Sequence, residues 1–73
     1  MTEETIKHII ARVIGNANDA LEEERKNKND AFYKGKKLAY YEILDTIKND
    51  LDIDDQDLKA FGLDVNLEKM FYS

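Results

Sequence analysis

Apolar residues recur along the first third of the chain at Ile6, Ile9, Ile10, Val13, Ile14, Ala17, Ala20 and Leu21. Steps of three and one follow the period of a helix and show none of the alternation of a strand. The pattern predicts a helix over about 3–26, with Thr2 as its N-cap and Glu3 and Glu4 in the first turn, where the helix dipole favours negative charge. Arg25 and Lys26 sit at the far end, where it favours positive charge. Gly15 falls opposite the apolar stripe, and nothing in the pattern explains it. The run Asn27-Lys28-Asn29-Asp30 then breaks the period, because Asn and Asp side chains compete for the backbone. Asn29 or Asp30 would cap a second helix.

That helix is predicted over about 31–51, with Phe32, Ala39, Tyr40, Ile43, Leu44, Ile47 and Leu51 in a broad stripe. So short a linker makes the two helices antiparallel neighbours. A turn centred near Lys28 and Asn29 pairs Ile6 with Leu51, Ile10 with Ile47, Ile14 with Ile43 and Ala17 with Tyr40. It also lays Lys36 over Leu21, within reach of Glu24. Gly35 and Ala39 are small residues on the edge of the stripe, which suits close packing of another backbone. Leu38 and Tyr41 project away from the stripe and need a second surface to cover them. Further on, Asp54 is a candidate cap for a short helix with Leu58, Ala60 and Phe61 inward and Gly62 as terminator. Asp64 is a candidate cap for a last turn carrying Val65, Leu67, Met70 and Phe71.

Length and composition narrow the function classes. The chain has 73 residues, no Cys and one His, so a disulfide framework, a Cys-based zinc site and any site needing two imidazoles are excluded. No apolar run approaches the roughly 20 residues of a membrane span, so no membrane role is expected. No charged-then-apolar leader opens the sequence, and the expectation is a cytoplasmic protein. A domain this small buries only about 60% of its unfolded surface, so it depends on regular helix packing or on self-association.

Candidate chemistry is thin. Asp50, Asp52, Asp54, Asp55 and Asp57 suggest a calcium loop, but counting from Asp50 puts Asp55 where the loop needs Gly and Phe61 where it needs Glu. A solvated acidic linker is the better reading. Tyr33 and Lys37 share the Tyr-x-x-x-Lys spacing of short-chain dehydrogenases, without the dinucleotide fold that chemistry requires. Gly35-Lys36 lacks the rest of a phosphate-binding loop. His8 lies opposite the apolar stripe, and neither it, Ser73 nor any threonine has a partner for acid–base work. No enzyme, metal or cofactor is expected.

Charge is unevenly spread. The net charge is −5, yet residues 25–41 carry Arg25, Lys26, Lys28, Lys34, Lys36 and Lys37 against Asp30 alone. A basic tip of Arg25, Lys26, Lys28, Lys34 and Lys37, beside Phe32 and Tyr33, is a candidate nucleic-acid or acidic-partner site. Dipole complementation and solubility explain the same lysines, and the acidic total weighs against nucleic acid.

The run Phe32-Tyr33-x-Gly35-Lys36-x-x-Ala39-Tyr40-x-Glu42-x-Leu44, followed by Asp57-Leu58-x-x-Phe61-Gly62-Leu63, resembles small helical proteins of Gram-positive bacteria and their mobile elements. That resemblance spans roughly residues 31–63 and implies a bacterial setting, with no activity or site residue attached.

Together these readings predict an all-α, single-domain chain over 1–73. An antiparallel hairpin occupies 1–51, one or two short helices occupy 54–73, and a second copy completes a four-helix bundle. The expected dimer or core interface is Ile6, Ile10, Val13, Ile14, Leu21, Tyr40, Ile43, Leu44, Ile47 and Leu51. Residues 54–73 either fold back on their own hairpin or cross to that second copy. The expected function is a non-enzymatic protein-interaction module that forms a homodimer. The alternatives are a nucleic-acid-associated accessory protein using the basic tip and a bacteriocin-immunity or toxin-neutralising protein.

Overall fold

The computed structural model describes residues 1–72; Ser73 lies outside the described residues. Helix α1 runs Glu3–Lys26, helix α2 runs Ala31–Ile53, a 3₁₀ turn covers Leu58–Phe61, and helix α3 covers Leu67–Tyr72. The described residues contain no strand. The Thr2 hydroxyl accepts from the Thr5 backbone N–H, and Asp30 accepts from the Phe32 N–H, so both long helices begin on the caps their sequences offered.

The second helix runs two residues past the expected Leu51. Its end is fixed by Gln56 N–H donating to the Leu51 carbonyl and by Asp55 at φ 56°, a left-handed residue that turns the chain back. Two further caps differ from expectation. Asp57 caps the 3₁₀ turn through the Lys59 N–H, while Asp54 closes α2. Asn66 accepts from the Lys69 N–H at the start of α3, the role expected of Asp64. Gly62 ends the 3₁₀ turn at φ 74°, as its position suggested.

The C-terminal segment folds back on its own hairpin. Ile10, Ala17 and Leu21 of α1, Leu44 of α2, and Phe61, Leu63, Leu67 and Phe71 of the segment form one buried cluster. Ile6, Val13, Ile14, Tyr40, Ile47 and Leu51 pack partly buried around it. Tyr41 is covered by Phe71 and Tyr72, whose ring centroids lie 5.7 and 5.3 Å away. Leu38 stays exposed instead of gaining the cover expected for it, as does Ala60, expected inward.

The molecule measures 39 × 21 × 14 Å. Packed helix axes lie about 8–10 Å apart, so a thinnest dimension of 14 Å holds the hairpin and one further layer, and the segment covers the hairpin on one side only. A Cβ built at Gly15 meets nothing within 4 Å. Gly15→Ala is therefore expected to stabilise the chain by about 0.5–1 kcal/mol, through helix propensity alone. A thermal melt checks this; an unchanged or lower midpoint would contradict it.

Candidate functional site

Two sides of the hairpin differ in what they present. On the covered side, the Lys7 ammonium lies 5.6 Å over the Phe61 ring, and a Cβ at Gly62 would sit 3.7 Å from Ile14 Cδ1. Tyr41 packs on α3, and Lys48 donates to the Val65 carbonyl. At 3.6 residues per turn, Ile43 points about 160° away from Tyr41, and Ile9 about 140° away from Ile14. These two isoleucines therefore face the other side, and both are exposed. There the surface is an open groove lined by Ala31, Phe32, Gly35, Lys36, Ala39, Tyr40 and Ile43. Phe32 is 67% exposed and Ile43 48% exposed.

That groove divides the expected interface residues. Ile10, Leu21 and Leu44 belong to the closed core of one chain, and Ile6, Val13, Ile14, Tyr40, Ile47 and Leu51 rim it. Ile43 alone of the set stays open to solvent. Gly35 has nothing within 4 Å of its missing Cβ, so no backbone of this chain approaches it. Phe32, Ile9 and Ile53 are exposed apolar residues outside the expected set. The signal for Phe32 and Ile53 in the sequence is a second stripe on α2, set beside the core stripe and partly hidden by its breadth.

Two ion pairs tie α1 to α2 near the Asn27–Asp30 turn. Lys36 Nζ donates to Glu23 Oε1 at 2.9 Å, and Lys37 Nζ to Glu24 Oε1 at 3.4 Å. The expected partner of Lys36 was Glu24. The difference arises because Lys37 holds Glu24 on the covered side, where its Nζ also lies 4.5 Å from the Tyr72 ring centroid. The side chains of Lys37 and Glu24 are only 15% and 17% exposed. Lys37 thus belongs to the seal between α3 and the hairpin, not to a free basic tip. Lys26 pairs with Glu22 at 3.5 Å. Arg25, Lys28 and Lys34 are exposed, with no carboxylate of the described residues within 4 Å.

Burial pushes the Tyr41 hydroxyl above its ordinary range, and Asp45, Glu68 and Tyr72 act the same way. The hydrogen bond to Glu23 raises Lys36 above its ordinary value, against a smaller opposing effect of desolvation. The fold thus favours the protonated form of both groups. Their contribution to stability is complete below the ordinary values of 10.0 and 10.5 and is lost as pH rises through the raised ones. Urea midpoints are expected to be level from pH 7 to about 9 and to fall by pH 11. An equal midpoint at pH 8 and pH 11 would contradict this.

Among the described residues, no three His, Asp or Glu side chains converge as a metal site would require. The five aspartates of 50–57 are spread over the end of α2, the turn and the 3₁₀ cap. No described helix is long and apolar enough to cross a membrane. No family model, curated protein or solved structure matches the chain.

Proposed function

We propose that this protein is a small, non-enzymatic protein-interaction module that works as a homodimer in the bacterial cytoplasm. The observation carrying the proposal is the uncovered side of the hairpin. Large apolar side chains at Phe32 and Ile43 stand in solvent around an apolar groove, in a chain whose own C-terminal segment is spent on the opposite side. A contiguous exposed apolar patch on a small protein marks an interaction surface. Two-fold pairing is the commonest way to close one, and a four-helix arrangement buries such stripes well. Sedimentation equilibrium at micromolar concentration tests the proposal. Twice the chain mass of 8.5 kDa is expected, with Ile43→Glu shifting the population to monomer. A wild-type monomer throughout would overturn it.

A second reading is favoured by Arg25, Lys28 and Lys34, which crowd the turn end without carboxylate partners among the described residues. They would serve an accessory protein that touches nucleic-acid phosphates. Fluorescence anisotropy with a short DNA or RNA duplex at 50 and 200 mM salt distinguishes this reading. Phosphate contacts would give binding that weakens steeply with salt. The net charge of −5 favours the first reading over this one.

A further inference from the structure

Self-association through the open side leaves two ways for the copies to meet, tips together or tips apart, and α2 carries a pattern that separates them. From Phe32, steps of four and three residues reach Lys36, Ala39, Ile43, Thr46, Asp50 and Ile53. This is the spacing of a seam between two helices. Every one of these positions is exposed except Lys36, which is half-buried against Glu23. The seam has a centre. Lys36 and Asp50 each lie seven residues from Ile43, one on either side, and the exposed apolar residues Phe32 and Ile53 lie near its two ends.

We infer that the partner on this side is a second copy of the chain, with its α2 antiparallel and the two-fold axis passing near Ile43. This inference rests on the self-association proposed above. In that arrangement each Lys36 faces the partner's Asp50, a contact made twice by symmetry, and each Phe32 comes beside the partner's Ile53. A parallel pairing of the same seams sets unpaired aspartate on aspartate, which is repulsive, and brings the two Lys36–Glu23 pairs together with no new attraction. The wider charge distribution agrees. Arg25, Lys28 and Lys34 gather at the turn end, whereas Asp50, Asp52, Asp54 and Asp55 gather at the other end with no cation of the described residues within 4 Å. Tips apart brings each basic end onto an acidic one. Gly35, adjacent to the seam, has nothing within 4 Å of its missing Cβ, and with the small Ala39 in the seam it leaves room for a backbone to approach.

Absence of native cysteine makes the orientation measurable on the full chain. A spin label on Lys28→Cys, fifteen residues from Ile43, is expected about 45 Å from its mate in the tips-apart dimer and below about 25 Å with tips together, at 1.5 Å per helical residue. Asp50→Lys is expected to weaken dimerisation about tenfold, since it replaces two attractions with two repulsions. This variant should still fold, because a cation near the C-terminus of α2 suits the helix dipole. Asp52→Lys makes the same charge change on another side of α2 and is expected to leave the dimer within about threefold of wild type. A wild-type monomer would overturn the self-association itself. A dimer with the short distance would overturn the orientation alone. A long distance with equal effects of Asp50→Lys and Asp52→Lys would overturn the pairing of Lys36 with the partner's Asp50.

Discussion

Leu44→Ala is expected to lower stability by about 2–5 kcal/mol, the range for truncating a buried leucine. Leu44 has no exposed surface and belongs to the cluster that joins α1, α2 and the C-terminal segment. A small cavity already lies beside it, lined by Ile14, Gly62, Leu63, Val65, Leu67 and Met70 as well as Leu44 itself. Truncation would enlarge that void, and the two long helices cannot close it without losing their packing elsewhere. A chain of this length has a total stability of only about 4–11 kcal/mol, so the substitution removes a large share of it. The melting midpoint should fall by about 10 °C or more. Its neighbour provides the contrast: Ile43→Ala, on the exposed side, should cost a monomer less than about 1 kcal/mol. Circular dichroism melts of the two variants under monomeric conditions decide this. Equal losses would mean that the buried and open sides are wrongly distinguished.

The second large effect is expected at Phe71. Phe71→Ala should cost about 3–5 kcal/mol in the intact fold. Phe71 is buried and meets Tyr41 edge-on, with rings inclined by 66°. Helix α3 has six residues, too few to hold helical structure in water without a docking surface. Removing its anchor should free the whole segment, with loss of the Lys37–Tyr72 contact as it leaves. Near-UV circular dichroism of the tyrosines and amide exchange across 67–72 should both show the change. Tyr72→Ala, at a half-exposed side chain, should be much milder. An equally large effect at Tyr72 would show that α3 is held by the cation contact and not by the core.

The hairpin was legible because local rules determine it. Thr2 and Asp30 are the residues that cap best at their positions, and the apolar spacing through Ile10, Ala17 and Leu21 has a single helical interpretation. The end of α2 was less legible for a physical reason. Five aspartates in 50–57 are all competent caps, and the choice between them is made by where Leu58 and Phe61 reach the hairpin, which no local rule contains. The exchange of Glu24 from Lys36 to Lys37 has the same origin. It depends on Tyr72 closing over Lys37, a contact between residues far apart in sequence. At the candidate site, Ile43 was identified but its role was merged with that of Leu44. Adjacent residues on a helix differ by about 100° in direction, and a broad apolar stripe hides that difference until one side of it is covered.

The path of the C-terminal segment also orders events in time. Contacts near the Asn27–Asp30 turn join residues close in sequence, as in the pairs of Lys36 with Glu23 and Lys37 with Glu24, and such contacts form quickly. The segment's contacts, such as Phe61 beneath Lys7, join nearly opposite ends of the sequence and carry the larger loop-closure cost. A refolding chain is therefore expected to form the hairpin's contacts before those of the segment that turns back at Asp55.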